Sequence, residues 1–156
     1  YIYSHIGFNM KITDMQAACG LAQLSKLDKF IKQRKKNFKF LNLNLKELSE
    51  FIILPKEEPH SDPSWFGFPI SLKENCKIKR HELILKLTEN KIGTRLLFSG
   101  NITKQPAYLK KKFRVSGKLS NTDYVMNNTF WVGLYPGLGE EELNFVAQTI
   151  KKYLKN

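Results

Sequence analysis

Past Gly20, apolar residues recur at intervals of three and four: Leu24, Leu27, Ile31, Phe38, Leu41, Leu45 and Leu48, with Arg34 filling one slot. That spacing predicts one long amphipathic helix. Ahead of it, Thr13-Asp14-Met15-Gln16 has the capping-box form, so the helical stretch is expected to start with Thr13 as N-cap and Gln16 reaching back. Residues 1–12 read as an irregular entry segment. A short coiled coil is the sharper alternative, but two or three heptads behind a glycine favour a helix packed on its own domain.

From residue 51 the pattern changes period. Phe51-Ile-Ile-Leu54 reads as a short strand ended by Pro55, followed by a polar loop from Lys56 to Pro63. Phe66, Phe68, Ile70 and Leu72 then alternate, which predicts a strand, and Pro69 within it argues for an edge or a bulge. Leu83, Ile84 and Leu87 have helical spacing within Arg80 to Glu89. Ile92 to Phe98 is a further strand, followed by a Gly100-Asn101 turn and a short helix beginning near Pro106. Asn121 or Thr122 is expected to cap another short helix, and Thr129 to Leu134 is a strand stopped by Tyr135-Pro136. The final helix opens at Gly139-Glu-Glu-Glu142, and its acidic start and Lys151, Lys152 and Lys155 end suit its dipole. Without strict βαβ alternation, residues 51–156 read as a small α+β domain, a short sheet with helices on one face.

Composition narrows the class. The chain has 156 residues, 42% hydrophobic and 26% charged, which fits one folded domain and excludes a disordered tail or a disulfide-stapled scaffold. No apolar run approaches the roughly 18 residues a membrane span needs. Tyr1 opens the chain without a Met or a secretory signal, so a portion of a longer protein is expected. The net charge of +12 suggests an anionic partner. However, only four of the 26 basic residues are arginines (Arg34, Arg80, Arg95 and Arg114), and scattered lysines serve solubility better than base readout. A nucleic-acid-binding module is therefore the rival from another class, and an anionic small molecule stays open. Cys19 and Cys76 lack the spacing of a zinc site or a required disulfide. Cys19, among small residues, is expected to be a buried, inert thiol, and the cytoplasm is the expected compartment.

No self-contained catalytic set appears. His5, His60 and His81 do not match metal-ligand spacing, and His81 is expected to be solvated. There is no nucleophile elbow, no phosphate-binding glycine loop and no pair of carboxylates in an apolar context.

The residues themselves resemble a known family. The run from Gly7-Phe8-Asn9 through Thr13-Asp14-Met15-Gln16-Ala17-Ala18-Cys19-Gly20 to Gln23-Leu24 is similar to the signature of the DegT/DnrJ/EryC1/StrS sugar aminotransferase and dehydrase family. Three further blocks point to its lipopolysaccharide-biosynthesis branch, the CDP-4-keto-6-deoxy-D-glucose 3-dehydrases. These are Asp62-Pro-Ser-Trp-Phe-Gly-Phe-Pro69, Ile92-Gly-Thr-Arg-Leu-Leu-Phe-Ser-Gly-Asn-Ile-Thr-Lys-Gln-Pro106, and Asn121-Thr-Asp123 with Thr129-Phe-Trp-Val-Gly-Leu-Tyr-Pro-Gly137.

The resemblance implies the C-terminal portion of an aminotransferase-like fold. Residues 1–50 would be the end of a large domain plus a connecting helix, and residues 51–156 a small domain with a mainly antiparallel sheet covered by helices. It implies C3 dehydration of a nucleotide sugar with pyridoxamine or pyridoxal phosphate, a [2Fe–2S] cluster fed by a flavin/iron–sulfur reductase, and a homodimer. The catalytic His and the cluster cysteines are expected upstream of Tyr1, so this chain holds no catalytic residue and no metal ligand, and alone is expected to be inactive. A Lys in place of that His would make the parent a sugar-nucleotide aminotransferase.

Few roles carry over to these positions. Asn9 matches the amide that reaches the cofactor phosphate of the neighbouring subunit, against the plainer reading of an Asn serving its own turn; Phe8 replaces the common Tyr. Phe66 would line the sugar end of the pocket or serve as a strand core aromatic. Arg95, a lone charge in an apolar strand, needs either a structural carboxylate or the nucleotide diphosphate. Asn101 and Gln105 contact substrate or cap the turn, and Tyr135 lines the pocket or packs.

Overall fold

A computed structural model describes residues 1–7 and 12–155. Asn9 and Phe8 lie outside the described residues. Helix α1 (Asp14–Leu24) begins with the expected capping box: the Gln16 amide donates to Thr13 Oγ1, and the Thr13 amide donates to Gln16 Oε1. The single long helix of the sequence reading is in fact two. Ser25 and Lys26 form a turn in which the Lys26 amide bonds back only three residues, to Gln23, and α2 (Leu27–Leu45) starts afresh and ends in a 3₁₀ turn, Lys46–Leu48. Neither residue is a strong helix breaker; the break is a tightened last turn.

No residue of α1 is buried. Cys19, expected inside, is exposed with the rest of that helix, because the Ala-Ala-Cys-Gly face meets no other element. Met15, Leu21 and Leu24 are also exposed. The apolar periodicity becomes a core face only farther along, at Phe38, Leu41, Leu45 and Leu48.

The sheet contains β1 (Ile52–Ile53), β2 (Gly67–Leu72), β3 (Thr94–Leu96) and β4 (Thr129–Gly133), in the order β1-β2-β4-β3, with all neighbours antiparallel. Helix α3 (Arg80–Glu89) spans the residues its spacing predicts, and α4 (Ser120–Asn128) and α5 (Glu140–Lys155) complete the fold. Phe68, Ile70 and Leu72 of β2 share a face with Phe130 and Val132 of β4 through the register Phe68↔Val132 and Ile70↔Phe130. Against them pack Phe38, Leu41 and Leu45 of α2, Leu83 and Leu87 of α3, and Leu143, Ala147, Ile150 and Leu154 of α5 in one core. Leu41 and Leu45 are fully buried, so truncating either to Ala would cost about 2–5 kcal/mol. The α+β class and the helical cover on one sheet face are as expected.

Three local expectations are corrected. Pro69 lies in an inner strand rather than at an edge. It is tolerated because β1 is two residues long and registers only with Leu72 and Ser71, leaving nothing beside residue 69 on that side to require a donor. The short helix expected near Pro106 is instead a 3₁₀ turn before it, Ile102–Lys104, capped by Asn101, whose Oδ1 accepts from the Thr103 amide. Helix α4 starts at Ser120 with Leu119 as N-cap and no side-chain cap bond, so neither Asn121 nor Thr122 caps it. Its other end is held by Arg80, whose guanidinium donates to the carbonyls of Met126 and Thr129. Burial lowers the pKa of that guanidinium.

Candidate functional site

Strand alternation leaves the second sheet face with Pro69, Ser71, Trp131 and Arg95. The register Arg95↔Trp131 sets those two side by side on β3 and β4. Trp131 leans across β2 toward Gly67, where only a glycine leaves room: a Cβ there would fall 2.3 Å from the ring. Phe66, one residue before β2, covers the same ring, with centroids 5.2 Å apart and planes tilted by 59°. Phe66 is itself exposed, and the Arg34 guanidinium of α2 lies 6.0 Å from its centroid. An aromatic pair thus stands between two guanidinium groups. Among the described residues, neither Arg34 nor Arg95 meets a carboxylate.

Beside this face is an open hollow of about 620 Å³ lined by Tyr1, Gly93, Thr94, Arg95, Leu96, Trp131 and Gly133. Gln105 fixes one wall. It is buried, its Oε1 accepts from the Tyr3 amide at 2.9 Å and its Nε2 donates to the Ser99 carbonyl at 3.0 Å. The Ala107 amide then donates to the Tyr3 carbonyl, so residues 1–3 lie along the Ser99–Ala107 loop.

Asn101 stabilises the same loop from within. It is buried, and its Nδ2 donates to Asp123 Oδ1 at 2.8 Å, an oxygen that also accepts from Lys104 Nζ at 2.8 Å. The lysine first, and the amide second, hold the Asp123 carboxyl below the usual aspartate range.

The structure therefore places the sequence-derived candidates in two groups. Arg95 and Phe66 share the open face through Trp131. Asn101 and Gln105 direct their side chains to the protein's own loop, where they set its shape. Tyr135 stands apart from both, with its ring exposed, its carbonyl accepting from the buried Asn37 side chain, and a smaller hollow of about 350 Å³ between it and Arg34. Sequence reading had not picked Trp131 or Arg34 as site residues. The signal for Arg34 was present, since a charge occupied an apolar slot of the helix.

The five buried polar side chains, Asn37, Asn101, Gln105, Thr129 and Thr149, all bond within the chain. No group of three or more His, Cys, Asp or Glu could hold a metal among those residues, and no helix there is long and apolar enough to cross a membrane. The open sheet face thus carries two arginines without carboxylate partners among the described residues, on either side of an aromatic pair.

The fold is aminotransferase-like. The chain belongs to the DegT/DnrJ/EryC1/StrS aminotransferase family, whose sequence profile matches residues 1–151. It is 54% identical over 153 residues to the lipopolysaccharide biosynthesis protein RfbH of Salmonella typhimurium, covering 98% of this chain and 35% of that protein. It is 43% identical over 154 residues to the dTDP-4-dehydro-2,6-dideoxy-D-glucose 3-dehydratase of Saccharopolyspora spinosa, covering 99% and 33%. The fold matches the solved E. coli GDP-4-keto-6-deoxy-D-mannose-3-dehydratase with bound hydrated PLP, with TM-score 0.81, 27% identity, and coverage of 92% of this chain and 36% of that one. The chain thus spans about a third of the length of the relatives it matches.

Proposed function

We propose that this chain is the C-terminal portion of a pyridoxamine-phosphate-dependent CDP-4-keto-6-deoxyhexose 3-dehydrase that makes a deoxysugar for lipopolysaccharide O-antigen in the cytoplasm. The observation that carries the reading is the carboxylate-free guanidinium of Arg95 beside Trp131 at the open hollow. A cation without a protein partner on a ligand-facing surface suits a nucleotide diphosphate. The similarity to two sugar 3-dehydratases supports the reaction type.

In this reading residues 1–50 finish the large domain and the connecting helix, and residues 51–156 are the small domain. Arg95 holds the diphosphate, Phe66 and Tyr135 line the pocket, and Asn101 and Gln105 shape the loop behind it. Asn9 donates to the cofactor phosphate across a homodimer interface. The ring of the cofactor, the base and a [2Fe–2S] cluster served by a flavin/iron–sulfur reductase belong to the longer protein, and no chemical step is assigned to residues of this chain.

The test is turnover of CDP-4-keto-6-deoxy-D-glucose by the full-length protein with pyridoxamine phosphate and a reductase. Loss of the C3 hydroxyl is expected. Transfer of an amino group from glutamate to C4 would overturn the reading in favour of an aminotransferase, and no turnover of either kind would overturn both.

A further inference from the structure

The longest run of the sequence without a carboxylate is residues 90–122, and it holds eight lysines and arginines. The acids that bound it are already occupied, Glu89 by Lys86 and Asp123 by Lys104. Five of the eight cations, Lys110, Lys111, Lys112, Arg114 and Lys118, fall in residues 109–118, every one of which is exposed. Among the described residues none of the five pairs with a carboxylate. Like charges this close lie within a Debye length of about 8 Å and repel, so the cluster opposes folding unless an anion meets it.

The same loop exposes apolar side chains between its cations: Leu109 at 66%, Phe113 at 47% and Val115 at 47%. It is anchored at both ends. The Gln105 and Ala107 bonds to Tyr3 hold one side, and the Asp123 amide, donating to the Leu119 carbonyl, opens α4 on the other. Between them the Lys111 amide turns back to the Tyr108 carbonyl at 2.9 Å, and Gly117 takes a φ of 72° in open space. The loop thus presents cations and apolar groups together from a fixed base.

The mixture selects the partner. A free phosphate would use the cations and leave Leu109, Phe113 and Val115 in water. A nucleic acid strand stacks on aromatic rings, and two of these three side chains are aliphatic. An anionic bilayer uses both kinds of group, phosphates at the headgroup level for the cations and an acyl boundary just beneath for the apolar side chains. We propose that residues 109–118 dock this protein peripherally on an anionic lipid bilayer, with the five cations at the headgroups and Leu109, Phe113 and Val115 inserted below them. The proposal is independent of the reaction assigned above.

The experiment is flotation of the full-length protein with vesicles of phosphatidylcholine alone and of phosphatidylcholine mixed with phosphatidylglycerol. Binding is expected on the mixed vesicles only, and release at about 1 M salt, where the Debye length shrinks to about 3 Å. Joint replacement Lys110→Gln, Lys111→Gln and Lys112→Gln is expected to weaken partition roughly a hundredfold, about fivefold for each cation at an anionic surface. Phe113→Ser keeps every charge and is expected to weaken it by roughly tenfold. As a control, Lys29→Gln, Lys32→Gln and Lys39→Gln remove the same charge from exposed positions of α2 and are expected to change partition far less.

No binding to the mixed vesicles overturns the proposal. So does an equal loss in the α2 control, which would assign binding to net charge, or wild-type partition in Phe113→Ser, which would leave nothing inserted. Release by inorganic phosphate at an ionic strength matched with chloride would assign the loop to a single anion. Binding of a DNA duplex that competes the vesicles away and needs the three lysines but not Phe113 would assign it to nucleic acid. Either result defeats the bilayer, and none of them bears on turnover.

Discussion

The ring of Trp131 occupies the space where a side chain on Gly67 would begin, with Cε3 2.3 Å and Cδ2 2.9 Å from the ideal Cβ position. The two are diagonal neighbours, since Gly67 pairs with Gly133 and Trp131 with Pro69. Gly67 is therefore required for the ring it admits rather than for its own backbone angles. Gly67→Ala is expected to push Trp131 off the sheet and to destabilise by about 1–3 kcal/mol, the usual cost of overpacking. Denaturant midpoints and tryptophan fluorescence would report it; an unchanged midpoint would mean the ring moves freely.

Asp123 is a carboxylate with two donors, Lys104 and Asn101, and its pKa is lowered by both. A depressed pKa contributes stability that is present above the unfolded value near 4 and lost as pH falls through the folded value. Asp123→Asn is thus expected to melt at a lower temperature than wild type at pH 7. The gap should close as the pH drops below about 4, and a gap that persists in acid would assign it to packing.

Gln105 joins the Tyr3 amide to the Ser99 carbonyl. Gln105→Leu removes both bonds and leaves two backbone groups without partners, at about 1–3 kcal/mol each if they stay buried. Amide exchange at Tyr3 and Ala107 is expected to accelerate, while exchange at Gln16, held by the separate capping box, stays as it was.

Arg80 supplies the donor that two carbonyls at the end of α4 require. Replacing it with Met keeps much of the stem and removes the donor, so Arg80→Met is expected to cost about 1–3 kcal/mol. His81→Ala, at the exposed neighbouring position, serves as the control and is expected to be near neutral.

What was legible in the sequence follows how local each determinant is. The α1 cap is a four-residue pattern and α3 a ten-residue one, and both stand where that pattern put them. The break at Ser25–Lys26 had no such mark, because neither residue forbids a helix. Burial of Cys19 failed as an expectation because a small-residue run says that a face can pack closely, not that anything packs on it. Pro69 misled because whether a strand is central depends on pairing with distant residues. The same limit shaped the site. Arg95 stood out as a charge in an apolar strand, and Arg34 as a charge in an apolar slot. That the two flank one aromatic pair depends on β3, β4 and α2 meeting, which no spacing along the chain encodes.

Helix α1 also sets how the molecule comes apart. It has eleven residues, none of them buried, whereas α2, α3 and α5 share one core. An isolated helix of that length is marginal in water. Melting of this chain should therefore not be one cooperative event: α1 can unwind at nearly no cost to the rest, and helical signal will fade before the core gives way. A stability measured by helicity and one measured at Trp131 would be answers to two different questions.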